Sequence, residues 1–404
     1  MLSRIMPRPL SLSAFWFIYM GALGIFFPYF SLYLSENAGL SGTQVGLVLA
    51  VIPLIAIVAQ PLWGQVADRT GARRRVLAYL AAGTCLGYVL LAGAVGFPFI
   101  VAATAFLAAF ETGVLPTTLS VSFAVLRDAG PHAYGFVRVW GTVGFFLLVL
   151  SFPSLLERYQ EARDLVPEAG GPSQPGLEIM FLVSAGLVLL ASLTSLRLPR
   201  EGAISLRAAR GDWRALLKNR TFLRFLVFSF AAYVLMHGPI WLFPVFIRSR
   251  GGDLDTIRGM WILMLAVEIP LMLSTGSGLK GLGARGLLAV GILASGLRWT
   301  LCAAVSDPFW LYPIQVLHGV TVVGVLVGGP LYLDAVSPER LRSTAQGLYS
   351  MVGMGLAGIA SNAGSGWLLE HAGINAPYLV GGIGALVLGG FTWWILPAPA
   401  QGAG

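Results

Sequence analysis

Twelve stretches of apolar residues alternate with short polar segments along this chain. They lie near 10–34, 41–62, 76–95, 97–126, 134–156 and 177–197. After a polar gap they resume near 221–247, 257–276, 286–305, 308–333, 344–368 and 377–397. A helix needs roughly 20 consecutive apolar residues to cross a bilayer, and each stretch is about that long. The first is longer than a signal-peptide core and lacks a small-residue cleavage site, so it reads as a retained span. The pattern predicts an all-α membrane protein with twelve transmembrane helices, six on either side of the gap.

Composition removes the soluble alternatives. Of 404 residues, 56% are hydrophobic and 11% are charged, against about 25% charged in an ordinary soluble domain. Twelve spans leave no room for a soluble catalytic domain. A net charge of +8 on a soluble protein would point to nucleic acid; here the positions of the charges matter more, and the lipid bilayer is the expected partner. With the N-terminus placed in the cytoplasm, 20 basic residues fall on inner segments and 5 on outer loops, with Arg298 inside a span. This is the positive-inside asymmetry. It predicts a multi-pass protein of the cell (inner) membrane with both termini cytoplasmic.

The remaining chemistry is sparse. Cys85 and Cys302 both sit in apolar stretches and offer neither a disulfide framework nor a metal-ligand spacing. His132, His237, His318 and His371 lie far apart, with no HExxH pair for an intramembrane metalloenzyme. Lys218 and Lys280 each follow a Leu, so the Gly-Lys of an ATP-binding loop is missing. No enzyme activity, metal or cofactor is expected.

The polar gap at 198–220 divides the chain into an N-terminal bundle, 1–197, and a C-terminal bundle, 221–404. An internal repeat agrees: GQVADRTGAR (64–73) aligns without gaps to GSGLKGLGAR (276–285), an offset of 212 residues. Phe27-Pro28-Tyr29-Phe30 in span 1 is likewise echoed by Phe243-Pro244-Val245-Phe246 in span 7. Parallel six-helix repeats are a transporter architecture, with the substrate site near mid-membrane between the halves. The expectation is two pseudo-symmetric bundles around a central cavity, in a monomer.

The loop that follows span 2 reads Gly64-Gln65-Val66-Ala67-Asp68-Arg69-Thr70-Gly71-Ala72-Arg73-Arg74-Arg75. Gly64 would permit close helix approach and Gly71 a tight turn, while Asp68 can pair with the arginines around it. This loop, with its degenerate copy one half later, resembles the signature loop of the major facilitator superfamily, and the twelve-span layout extends the resemblance over the chain. Gly64, Asp68, Arg69, Gly71, Arg73 and Arg74 are therefore expected to form a cytoplasmic conformational latch.

Charges inside apolar stretches mark the candidate site, because a charge at the bilayer centre costs roughly 2.5 to 3.5 kcal/mol on insertion scales. Glu268 in span 8, Arg298 in span 9 and His318 in span 10 should therefore face one another. Glu111 is the first-half counterpart, a mid-span carboxyl suited to carrying a proton. The segment Tyr134 to Phe145 at the start of span 5 resembles that of the proton symporters related to lactose permease and the phenylpropionate permeases. Their substrate-binding arginine falls on Arg138, and the same resemblance implies sugar binding and proton coupling for Glu268, Arg298 and His318. Two positions depart from it: Ser120 stands where an acid is implied, and Thr321 where a proton-bearing carboxylate follows the histidine.

These features predict a secondary transporter moving a small organic solute, sugar-like or an aromatic carboxylate, by proton symport with alternating access. Arg138, Glu268, Arg298 and His318 would bind the solute, and Glu268, His318 and Glu111 would couple protons. A proton-driven exporter of the same superfamily is the nearest alternative, and a non-transporting nutrient sensor a remote one.

Overall fold

The computed structural model describes residues 7–126, 133–166, 174–198 and 213–398. Most of the 198–220 linker and Arg127 lie outside the described residues. The first six spans are α1 Pro7–Leu32, α2 Gly42–Thr70, α3 Arg73–Ala92, α4 Phe97–Leu126, α5 Ala133–Ala162 and α6 Ile179–Ser195. The second six are α7 Arg220–Trp241, α8 Leu254–Leu273, α9 Thr275–Ala304, α10 Pro308–Val336, α11 over 342–372 and α12 Ala376–Gly390. Among the described residues there is no strand.

The chain divides into two compact units. In the first, α1 packs on α5 and α6, and α3 packs on α4 and α6. In the second, α7 packs on α11 and α12, and α9 packs on α10 and α12. Adding six to each helix number converts one set of pairs into the other, so the repeat glimpsed in the sequence extends to the packing. The 212-residue offset is also visible in the backbone. Gly71 (φ +61°) and its counterpart Gly283 (φ +65°) both adopt the left-handed conformation that a side chain resists. Just beyond each turn an arginine ties the loop to the end of that unit's last span. Arg74 Nη1 donates to the carbonyl of Leu198 at 2.9 Å, and Arg285 Nη1 donates to that of Leu396 at 3.1 Å.

Close backbone approach, which glycine permits, sets these contacts in membranes, where burying apolar surface gives little drive between helices. On α1 and α5, a β-carbon at Gly24 would stand 2.6 Å from the Phe145 carbonyl, and one at Gly144 would collide with the carbonyl of Phe17. On α9 and α10, a β-carbon at Gly291 would meet the Gly324 Cα at 2.6 Å. Residues 41–50, the first turns of α2, group with the second unit. There a β-carbon at Gly46 would lie 2.5 Å from the Asn362 carbonyl, and Asn362 Nδ2 donates to the Leu49 carbonyl at 3.1 Å. Ser41 Oγ and the Thr43 amide each donate to Glu370 Oε2 at 2.7 Å.

Two boundaries and one contact differ from the sequence expectation. The helix of span 2 does not stop near 62 but runs to Thr70, so Gly64 to Arg69 are helical and only Gly71 and Ala72 form the turn. The close approach expected at Gly64 is not made, since a β-carbon there meets open space. Span 7 is not continuous to 247: α7 ends at Trp241 and a short helix restarts over Phe243–Ser249. Pro244, at the start of that second piece, has no N–H to continue the first.

A paired substitution separates tight from open glycines. Gly144→Ala should lower the unfolding temperature of the detergent-solubilised protein by several degrees, because the new methyl meets fixed backbone. Gly64→Ala should leave it unchanged or raise it slightly, since Ala is favoured over Gly in a helix by about 1 kcal/mol.

Candidate functional site

The second unit gathers its polar side chains at one place. Glu268 projects from α8, Arg298 from α9 and His318 from α10. The pair His318-Gly319 explains how α8 and α10 come close enough. A β-carbon at Gly319 would be 3.1 Å from the Cα and amide nitrogen of Glu268, so only glycine lets the two backbones sit together. His318 Nε2 thereby faces Glu268 Oε2 at 3.6 Å. On its other side, Arg298 Nη1 lies 3.0 Å from His318 Nδ1.

Arg298 is 2% exposed, and a guanidinium so placed must find acceptors within the protein. The main one is Gln315, whose Oε1 accepts from Nε at 2.9 Å and from Nη2 at 2.7 Å. The planar fork also lies over the Trp299 ring, 4.0 Å from its centroid, and 5.3 Å from that of Phe243. Met264 Sδ accepts weakly from Nη2 at 3.4 Å. Local backbone chemistry places Gln315: Pro313 removes one helical donor, and α10 tightens there. The Gln315 amide bonds back only three residues to Tyr312 at 3.0 Å, and that of His318 three residues to Gln315 at 2.9 Å. Gln315 and His318 therefore share one face of α10.

Thus the structure brings Glu268, Arg298 and His318 together, and adds Gln315, which sequence reading passed over. A search for charges within apolar runs passes over an uncharged amide, although its three-residue spacing from His318 is visible. Thr321 turns its hydroxyl onto its own helix, donating to the Leu317 carbonyl at 3.0 Å. His237 lies beside Tyr233, ring centroids 6.2 Å apart, and the Tyr233 hydroxyl meets that of Tyr349 at 3.2 Å.

The first unit arranges its polar groups differently. Glu111 on α4 accepts from the Tyr88 hydroxyl of α3 at 3.3 Å, and its backbone carbonyl accepts from Tyr19 of α1 at 3.3 Å. Arg138 on α5 lies over the Trp16 ring at 4.7 Å, and Trp16 Nε1 donates to Ser122 Oγ at 3.1 Å. Across the turn between α2 and α3, Asp68 Oδ1 at the end of α2 accepts from Arg73 Nη2 at 3.1 Å, with Asp68 largely exposed and Arg73 mostly covered.

Comparison with known proteins decides the family. The model of the MFS_1 like family matches residues 10–380. The chain belongs to this family. It is 32% identical over 378 residues to the maltose permease of Geobacillus stearothermophilus, covering 90% of this chain and 89% of that one. It is 24% identical to the raffinose permease of Escherichia coli, over 93% and 88% of the two chains. Among solved structures, a variant of the nucleoside transporter NupG superposes with a TM-score of 0.84 at 18% identity, over 96% of this chain and 99% of that one. The family is one of small-solute transporters and not of enzymes, and its members carry the twelve-helix fold.

The burial of Arg298 generates a stability test. Arg298→Met should lower the unfolding temperature sharply, since it leaves the buried Gln315 oxygen without a donor, a loss of about 1–3 kcal/mol. Glu268→Gln, at a side chain 21% exposed, should shift it by no more than a degree or two. Thermal unfolding of both variants in the same detergent checks the contrast.

Proposed function

We propose that this family member imports a small hydroxylated solute of the saccharide class by proton symport, from a cell (inner) membrane with both termini cytoplasmic. The observation that carries this reading is the continuous line from Gln315 through Arg298 and His318 to Glu268. The Glu268 carboxylate and the His318 ring beside it, both reachable from outside the cluster, can together hold a pair of vicinal hydroxyls, one donating and one accepting. Glu268, the most exposed member of the line at 21%, is the one that can exchange a proton with the solute path. The printed names of the maltose and raffinose permeases support the solute class, and the inner surplus of basic residues supports the orientation.

In this proposal Glu268 is the main coupling group, with Arg298 and His318 as its partners and Glu111 as a second mid-span carboxyl. Arg138 binds the solute from the first unit, its guanidinium set over the Trp16 ring. Alternating access comes from rocking of the two bundles. The loop from Gly64 to Arg74, with Asp68, Arg69, Gly71 and Arg73, acts as a cytoplasmic latch; the protein works as a monomer.

The test is uptake of maltose, raffinose and uridine into proteoliposomes with and without an imposed proton gradient. Symport requires gradient-driven accumulation of one of them, and extrusion would make it an exporter. Glu268→Gln should abolish accumulation while leaving solute exchange intact. A variant that still concentrates solute at the wild-type rate would return Glu268 to a packing role.

For the latch, Asp68→Asn removes a partly exposed pair worth about 1 kcal/mol or less, yet 1.4 kcal/mol changes a two-state ratio tenfold. Turnover should fall severalfold with little change in KM. Single-cysteine labelling from the two sides should show an altered balance of inward and outward states. Unchanged labelling with collapsed affinity would move the loop from the latch to the binding site.

A further inference from the structure

The contact between Arg298 and His318 fixes the proton on the imidazole. A guanidinium carries only donors, so at 3.0 Å from Arg298 Nη1 the His318 Nδ1 must be the acceptor and hold no hydrogen. The neutral ring then carries its proton on Nε2, the nitrogen that faces Glu268 Oε2. An imidazolium would turn an N–H toward the guanidinium, donor against donor and charge against charge. As long as Arg298 keeps this position, His318 stays neutral with one defined tautomer.

What keeps Arg298 there is Gln315. Its side chain is fully buried, and its orientation is over-determined. Nε2 donates to the Leu311 carbonyl at 2.9 Å and lies 3.7 Å from Cys302 Sγ, which leaves Oε1 to take both the Nε and Nη2 hydrogens of Arg298. Without that oxygen, two hydrogens of a buried cation lose their acceptor, and the Glu268 carboxylate across the His318 ring is the strongest replacement in the unit. In the structure Glu268 faces the His318 ring and not Arg298. The titratable groups around the pair are Glu268 of α8, Cys302 of α9 and Tyr378 of α12, whose hydroxyl is engaged with the Pro239 carbonyl. None of them besides Glu268 offers an anion to draw the guanidinium away.

We propose that Gln315 is a positioning residue for the solute site: its carboxamide clamps Arg298, so that the guanidinium holds His318 in the Nε2–H tautomer and stays off Glu268. The carboxylate is thereby kept available to the solute and the proton. This last step rests on the function proposed above; the clamp itself does not.

The test uses full-length protein in lipid bilayers with 15N-labelled histidine, the His318 signal being assigned by its loss in His318→Gln. The wild-type ring should show an unprotonated Nδ1 and a protonated Nε2. Gln315→Met keeps the volume and removes the acceptor, and should abolish this signature in favour of mixed tautomers. Gln315→Glu keeps an acceptor for both donors and should restore it. In parallel, maltose exchange should show KM raised about tenfold in Gln315→Met with kcat changed little, the scale of a lost hydrogen bond to a charged group, and near-normal KM in Gln315→Glu. A Gln315→Met protein that retains the wild-type ring signature overturns the proposal. Should that variant fail to fold, a Gln315→Glu protein with Nδ1 protonated overturns it equally. The ring signature needs no solute, so an error in the solute class would show as absent maltose exchange in the wild type with the clamp intact.

Discussion

A guanidinium enclosed within a membrane-embedded helix bundle is the constraint around which the second unit is built. Arg298 has no route to water, so its donors must be met by neighbours. That requirement selects an amide oxygen at 315, an unprotonated nitrogen at 318 and aromatic faces at 299 and 243. It also sets the backbone, because the acceptors reach Arg298 only if α10 tightens near Pro313 and α8 presses against Gly319. The glycines of α9 and α10, closing at Gly291 and Gly324, hold the frame to which these side chains belong.

The two units share a scaffold and differ in chemistry. Helix pairings, the left-handed glycines and the arginines that tie each loop to a last span all repeat. The polar side chains do not. The second unit links its charged and polar groups into one line, while the first keeps Glu111 with tyrosines and Arg138 with a tryptophan. Packing positions in a repeated bundle are interchangeable because backbones must meet in the same way twice. Ionisable positions answer to local needs and were free to diverge.

The sequence was legible where violations are costly. Twelve apolar runs and the asymmetric basic residues revealed the spans, and charges within those runs singled out Glu268, Arg298 and His318, which the fold brings together. Gln315 is inconspicuous in the sequence because it carries no charge, and it becomes decisive only through its partner. The end of span 2 was placed eight residues short because polarity marks where a helix leaves lipid and not where hydrogen bonding stops. The hydrophobicity of span 7 runs straight through the backbone break, which is marked in the sequence only by Pro244.

The carboxylate of Glu370, beyond the apolar part of α11, carries a different consequence. Hydrogen bonds from Thr43 and Ser41 hold it down at about 2. A carboxyl depressed in this way stabilises its contact at every pH above the ordinary carboxylate range and loses it only as pH falls through about 2. Acidification to about pH 5, the lower edge of the histidine range, leaves it ionised. The carboxylate that receives Ser41 and Thr43 at the start of α2 therefore keeps its charge, and with it both hydrogen bonds, across the physiological window.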